Sequence, residues 1–405
     1  MADPFPESLT GLSMAQSRVI KVETRIADIS AAHWDACANP SLALHNPFVS
    51  HAFLKALEDA GTVGPKTGWH PQHLVLEDEA GAIAGCMPLY VKTHSQGEYV
   101  FDHAFADALH RVGGRYYPKL QGAVPFSPVP GPRLLVRPGR GNEGVTKTLA
   151  LAGIQLAAKL DYSSLHITFL DESQWRALGS LGFLQRTDQQ FHWHNAGYRT
   201  FGDFLGTLAS RKRKAVRRER TEALSSGLEI EHLTGTQITE AHWDHFFEFY
   251  NDTGNRKWGR PYLNRKFFSL LGQAMSERCL LVMVKRGATY VAGALNLIGG
   301  DCLYGRYWGA IEQHACLHFE VCYYQAIDWA IAHGLARVEA GAQGQHKIAR
   351  GYLPVTTYSV HWFADPRLTE AVASYLEQER REVAQTAEFL TSLGPFKKIA
   401  MQEAD

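Results

Sequence analysis

The sequence predicts an α/β protein of two domains built on one plan, each a mixed, mostly antiparallel sheet flanked by helices. Three observations carry that prediction. First, two segments 206 to 208 positions apart share a pattern of strand, tight turn and strand. These are "LVLEDEAGAIAGCMPLY" from Leu74, with Gly81 at the turn, and "LLVMVKRGATYVAGALNL" from Leu280, with Gly287 at the turn. Both have the alternation and turn chemistry of β-hairpins. Second, each hairpin is followed downstream by an apolar helix, a polar break and a strand: "GVTKTLALAGIQLAAKLDYSSLHITFL" and "LHFEVCYYQAIDWAIAHGLARVEAG". Third, 405 residues with 45% hydrophobic and 11% aromatic content are enough to bury large cores in two or three domains.

Taken in order, residues 1–18 read as a flexible tail without the charged-then-apolar order of a signal peptide. No apolar run reaches the roughly 18 residues that a membrane span needs, so a cytoplasmic location is expected. The first domain is expected over 19–195 and the second over 196–405. The first carries an insertion ending in "YYPKLQGAVPFSPVPGPRLLVRPG", which holds six of the seventeen prolines. Proline fixes φ and deletes a donor, so this segment is a stiff, non-helical wall, either a packed surface loop or a substrate-binding surface that includes Lys119 and Gln121. The six cysteines show no C-x-x-C pair, "HWH" at His192–His194 has the pattern of strand residues, and no metal site is expected.

The second domain opens with "ASRKRKAVRRERTEAL", in which seven of the ten residues from Arg211 to Arg220 are basic. The whole chain has 41 basic and 41 acidic residues; without the decapeptide's seven and one, 34 basic stand against 40 acidic. The positive charge is therefore local, which argues against DNA coating and for one anionic group gripped at one place. On a helical wheel Arg211, Arg213, Lys214, Arg217, Arg218 and Arg220 fill one half, and Leu205, Leu208, Ala209, Ala215, Val216 and Ala223 the other if the helix extends that far back. Ser210 or Asp203 is the expected cap and Gly227 the end. Lys212 and Glu219 fall on the apolar side. Arginine dominates the run, and Arg213, Arg217 and Arg220 are the candidate phosphate contacts, the rival reading being a solvated face.

Acyl transfer to an amine needs a base, oxyanion donors and a proton for the leaving group. No G-x-S-x-G elbow is present, so direct attack is expected. In the helix expected from Leu317 to Ala332, Glu320 shares a face with Tyr323, Tyr324 and Ile327, as a paired structural acid or as a base. Glu339 in "LARVEA" is either a salt-bridged strand residue or a base. "GAQGQHKIARGYLP" gathers Gln343, His346, Lys347 and Arg350 between glycines, with His346 a candidate catalytic group and the others substrate contacts. Tyr307 in "YGRYWG" is a candidate proton donor or a packed strand aromatic.

The hairpin, the Gly-rich turn opening a helix, and the strand leading to "LGF" over Val136–Arg186 resemble the GNAT superfamily of N-acyltransferases. That resemblance implies donor pyrophosphate binding by the loop holding Arg137, Gly139, Arg140, Gly141, Asn142 and Gly144, which is one residue shorter than the superfamily pattern. Two such units in tandem, with a basic helix opening the second, are similar to Fem-type peptidyltransferases, which add amino acids from aminoacyl-tRNA to peptidoglycan precursors. With the proline wall, the chain resembles the FemAB-like group of N-acyltransferases over about residues 19–390. The resemblance implies transfer from an acyl-CoA to a small-molecule or peptide amine. Its alternatives are aminoacyl transfer from tRNA and a non-catalytic module that binds RNA or a peptidoglycan precursor. On each transferase reading the donor is a co-substrate, and no resident cofactor is expected.

Overall fold

The computed structural model describes residues 19–111, 113–139, 144–257, 261–341 and 344–397, the side chains of 255–257 excepted. The first half runs β1 (Ile20–Glu23), α1 (Ala31–Ala38), α2 (His51–Asp59), β2 (Trp69–Pro71), β3 (His73–Glu77), β4 (Ile83–Met87), β5 (Leu89–Lys92), α3 (His103–Arg111), β6 (Lys119–Gly122), β7 (Leu135–Val136), α4 (Val145–Lys159), β8 (Ser164–Leu170), α5 (Glu172–Gly179) and β9 (Leu184–His194). The second runs α6 (Phe201–Thr207), α7 (Ser210–Ala223), β10 (Leu228–Thr234), α8 (Glu240–Lys257), α9 (Arg265–Met275), β11 (Cys279–Arg286), β12 (Thr289–Ile298), β13 (Cys302–Ala310), α10 (Leu317–Phe319), a π turn (Glu320–Tyr324), α11 (Gln325–Ala332), β14 (Arg337–Glu339), β15 (Leu353–Phe363) and α12 (Pro366–Ser392).

Both repeated hairpins form, β3 with β4 and β11 with β12, and the turn glycines Gly81 and Gly287 adopt φ of 77° and 61° as such turns require. The halves join edge to edge. A single sheet runs β10-β11-β12-β13-β14-β9-β15-β8-β6-β5-β2, and β1-β3-β4-β7 form a second sheet. The late strand β15 lies between β9 and β8 of the first half, and β14 pairs antiparallel with β9. Each half contributes one parallel pair, β6 with β8 and β13 with β14.

The large sheet has faces of opposite character. Leu120, Leu165, Ile167 and Val360 meet Leu149, Ala150 and Ala157 of α4, while Phe191, Trp193, Leu303 and Val338 meet Ala326, Ile327 and Ala330 of α11. The alternate residues that cross-strand register sets side by side are polar: Gln121 with His166, His166 with His361, and His192 with Glu339. All of them are nevertheless buried. The proline-rich stretch covers part of this polar face, since Gln190 Nε2 donates to the Pro128 carbonyl at 2.6 Å and Arg306 Nε to Ser127 Oγ at 3.0 Å. "HWH" lies in β9 as the pattern predicts.

Two local expectations need correction. The basic helix does not reach back to Leu205, because Leu208 and Ala209 are extended, with ψ of 147° and 143°. Asp203 instead closes a capping box with Thr200 on α6, and α7 starts at Ser210 with no side-chain cap. The helix predicted over Leu317–Ala332 is continuous but widened at Glu320–Tyr324. A π turn holds more residues than an α turn, so Glu320 no longer lies above Tyr323. Glu320 turns toward α7, where it meets Arg220.

Candidate active site

The two parallel pairs are the natural places to look, because strands that start in register and then part leave room between them. Beside the first-half pair, Leu120–Gly122 with Leu165–Ile167, a closed polar layer sits at the start of β6. Lys119, wholly buried, donates to Glu98 Oε2 at 2.7 Å, to Ser95 Oγ at 3.0 Å and to Asp102 Oδ2. Tyr116 Oη donates to Asp102 Oδ2 at 2.6 Å and lies 3.1 Å from His166 Nε2, and His166 Nδ1 is 2.7 Å from His361 Nδ1. Lys92 adds a second buried ammonium, 3.7 Å from Glu98 and 3.8 Å above the Trp69 ring centroid. Burial works against the Lys119 charge, yet Glu98 and Asp102 outweigh it and hold the ammonium above its ordinary range. Burial pushes Glu98 up to about 7 and Lys92 down to about 7. Gln121 is closed into the same layer, donating to Thr168 Oγ1 at 3.0 Å.

At the second-half junction the room is kept. Strands β13 and β14 are paired from Cys302 to Tyr304 and separate beyond Gly305. There β13 also carries a bulge against β12: Leu295 faces Tyr307 and Asn296 faces Gly305, so Arg306 is the extra, unpaired residue. A cavity of about 100 Å³ opens at this point, bordered among others by Asn296, Arg306, Tyr307, Cys322, Tyr323 and Ala340. A larger one of about 430 Å³ lies beside it, bordered by Thr253, Ala310, Glu312, His314 and Leu317, and Trp308 and His318 border both.

Four groups give the inner cavity its chemistry. Arg306 NH2 donates to Glu339 Oε2 at 3.2 Å, and its guanidinium lies 4.9 Å from the Phe48 ring centroid. Tyr307 Oη donates to the Phe126 carbonyl at 3.2 Å. Tyr323 Oη is 2.9 Å from His346 Nε2, and burial holds the phenol well above its ordinary range, so it stays protonated. Lys347 Nζ donates to the carbonyls of Ala340 at 2.6 Å and Gly341 at 3.0 Å, fixing the cavity rim. Burial, with Arg306 nearby, pushes the Lys347 ammonium down to about 8. Gly344 is required here: it has φ of 106°, and a Cβ on it would stand 2.4 Å from the His346 ring.

The predicted residues thus divide. Glu339, His346, Tyr307 and Lys347 gather at the second-half junction. Glu339 is gripped by two guanidiniums, Arg306 and, at 3.5 Å, Arg337, which is the salt-bridged alternative for that residue. Glu320 accepts from Arg220 Nε at 3.1 Å and from Gln325 at 2.7 Å on the far side of the helix, with Asp328 also on Arg220. Arg220 is therefore an internal strut and not part of the exposed cationic face. Arg350 is buried, paired with Glu219 at 2.8 Å and 3.4 Å from the Phe319 ring centroid, which explains how Glu219 is accommodated on the inner side of α7. Lys119 and Gln121 belong to the sealed first-half layer. Arg213 is half-buried, whereas Arg211, Lys214, Arg217 and Arg218 are exposed and form no ion pair with another described residue.

In the glycine-rich loop, Arg137 pairs with Asp78 at 2.5 Å, and Gly139 and Gly144 have φ of 145° and 82°, Gly144 capping α4. Arg140, Gly141, Asn142 and Gln343 lie outside the described residues. Sequence reasoning missed Arg306, Trp308, His318 and Tyr323. Tyr323 was visible only as a face neighbour of Glu320, and the π turn that separates the two leaves no periodic signal. Among the described residues no cluster of His, Cys, Asp or Glu could hold a metal ion, and no helix is long and apolar enough to cross a membrane.

Comparison with known proteins gives consistent results. A sequence family described as peptidoglycan biosynthesis/recognition, FemAB-like, matches residues 25–398. Among solved structures, FemX aligns with a TM-score of 0.54 and 12% identity over 85% of this chain and 98% of its own. The C-terminal domain of a putative lysylphosphatidylglycerol synthetase from Agrobacterium fabrum aligns at 0.52 and 7% identity, over 86% and 96%. L-PGS from Bacillus licheniformis aligns at 0.50 and 8%, over 82% and 98%. At these identities the likeness is one of fold. No curated protein matches the sequence.

Proposed function

The chain belongs to the FemAB-like family, and from that premise we propose that it transfers an acyl or aminoacyl group to an amine at the second-half junction. The observation that carries this reading is the coincidence of parted parallel strands, a bulge with an unpaired peptide, and a cavity bordered by a phenol hydrogen-bonded to an imidazole. The acceptor is taken to be an amine on a small molecule or on a peptide of a peptidoglycan precursor.

The chemistry follows from these groups. The acceptor nitrogen attacks the donor carbonyl in the inner cavity, forming the C–N bond. The peptide N–H freed at Arg306 is the group available to the developing oxyanion. As the C–S or C–O bond of the donor breaks, Tyr323 Oη gives its proton to the departing atom. The amine's proton passes to His346 and returns to Tyr323, so no net proton is lost from the pair. Lys347 steadies Ala340 and Gly341 at the rim, and the Arg306 and Glu339 pair holds the bulge.

The donor has two readings. An acyl thioester suits the glycine-rich loop of the first half. The phosphates of a tRNA end suit the four exposed and uncompensated cations of α7, with Arg213 beside them. The test is incubation with acyl-CoA or aminoacyl-tRNA and an amine-bearing precursor peptide, read by mass spectrometry. The acceptor is expected to gain the mass of one acyl group from one donor class, and Tyr323→Phe to slow that gain about a hundredfold. An unchanged acceptor with both donors would sink the reading.

A further inference from the structure

We infer that Trp308, backed by His318, is a partition that sets the size of the group transferred. The proposal rests on the transferase reading and adds to it a specificity residue. Trp308 and His318 are the two residues common to the linings of the inner and outer cavities. Their rings touch edge to face, with centroids 5.5 Å apart at 62°. The wall between about 100 Å³ and about 430 Å³ is therefore made of one indole and one imidazole.

The inner space has room for roughly three water-sized groups. A short acyl or small aminoacyl chain fits beyond the carbonyl; a longer one meets the indole. The opposite wall offers no escape, because Ala294 and Leu295 belong to β12, itself hydrogen-bonded on both sides. The outer cavity adjoins the inner one across these two rings. The partition comes from opposite elements: Trp308 from β13, held in the sheet, and His318 from α10, held by edge contact with Tyr323 at 5.3 Å. Neither ring is fully buried, so each can be shortened without opening the main core.

The experiment compares kcat/KM for acetyl, butyryl and octanoyl donors, or for glycyl, leucyl and phenylalanyl tRNA if tRNA is the donor, in wild type and in Trp308→Ala. Excluding a group by a few methylenes is worth at least about tenfold, so the wild-type octanoyl-to-acetyl ratio should be low and should rise about tenfold or more in the variant. Ala294→Leu, which fills the inner cavity from the other wall, should lower butyryl relative to acetyl. An unchanged ratio in Trp308→Ala, or a wild type that takes octanoyl as well as acetyl, overturns the partition.

Binding of decanoate by calorimetry needs no turnover and separates the two claims. If no donor is turned over, the transferase reading fails, and tighter decanoate binding by Trp308→Ala than by wild type still supports the partition. Equal binding by the two proteins overturns it.

Discussion

The two junctions of parallel strands begin alike and end differently. In the first half, the residues at the start of the parallel pair are charged, buried and paired with one another, Lys119 tied to Ser95, Glu98 and Asp102, while Glu98 Oε1 and Asp102 Oδ1 accept no hydrogen bond from the described residues. In the second half the end where the strands part is bordered by Tyr307, Cys322 and Tyr323 and stays open. A repeated fold thus gives two potential sites, and what fills the gap decides which one has room for chemistry. The first junction uses its polar groups on the protein itself. Lys92, held to the Gln96 carbonyl, and Lys119 anchor the loop that carries Tyr99 at φ of 60°, whereas the second leaves a phenol and an imidazole at a cavity.

The sharpest way to break this comparison is to remove the first-half anchor. Lys119→Met leaves buried Asp102 without its cation and Glu98 with Lys92 alone, and should cost about 3–5 kcal/mol of stability by chemical denaturation. A loss near zero would show that the layer is not structural. The converse change is Tyr323→Phe, which removes one hydroxyl whose partner His346 is exposed and can turn to water. Turnover should fall by about a hundredfold. Stability should stay within about 1 kcal/mol of wild type. If Tyr323→Phe unfolds the protein while Lys119→Met does not, the roles of the two junctions are reversed.

Much of this contrast is legible in the sequence, and the rest fails for identifiable reasons. The hairpins are visible because Gly81 and Gly287 mark turns between alternating runs, and "GAQGQHKIARGYLP" stands out because glycines isolate four polar side chains. The pairing of β14 with β9, and of β15 between β9 and β8, has no local signal, since period-two patterning says which face a residue occupies but not which strand lies beside it. Glu320 is the paired structural acid of its two readings, although helical spacing hides the π turn that parts it from Tyr323; the wheel places Arg220 on the open cationic face because it cannot know that Glu320 and Asp328 wait opposite. Arg306 carried no signal at all: a β-bulge depends on two strands, and one sequence window shows only one of them.

Lys347 sharpens the comparison through pH. Its folded-state value of about 8 lies below the ordinary 10.5, so below pH 8 the folded protein bears the full cost of the buried charge. Between about pH 8 and 10.5 the folded state has lost a proton that the unfolded state keeps, and stability should rise with pH relative to Lys347→Met. If the cation also holds the Ala340 and Gly341 rim for catalysis, kcat should fall above pH 8 while stability rises. Lys347→Arg, which does not titrate there, should lose that descending limb. A wild-type profile flat to pH 10 would place Lys347 with Lys119, as a structural charge.

The smallest expected effect concerns α7, where the cations differ in commitment. Arg220 is held by Glu320 and Asp328, whereas Arg217 is exposed and Arg213 only half-buried. Changing Arg213 and Arg217 to Ala should leave the fold intact and, if they meet tRNA phosphates, reduce the slope of log affinity against log salt by about 2. Arg220→Ala should instead destabilise the contact between α7 and the π turn with little change in that slope. Equal effects of all three on the slope would mean that the exposed face extends to Arg220 in the complex. No effect of any would remove the polyanion from the donor and leave the acyl thioester.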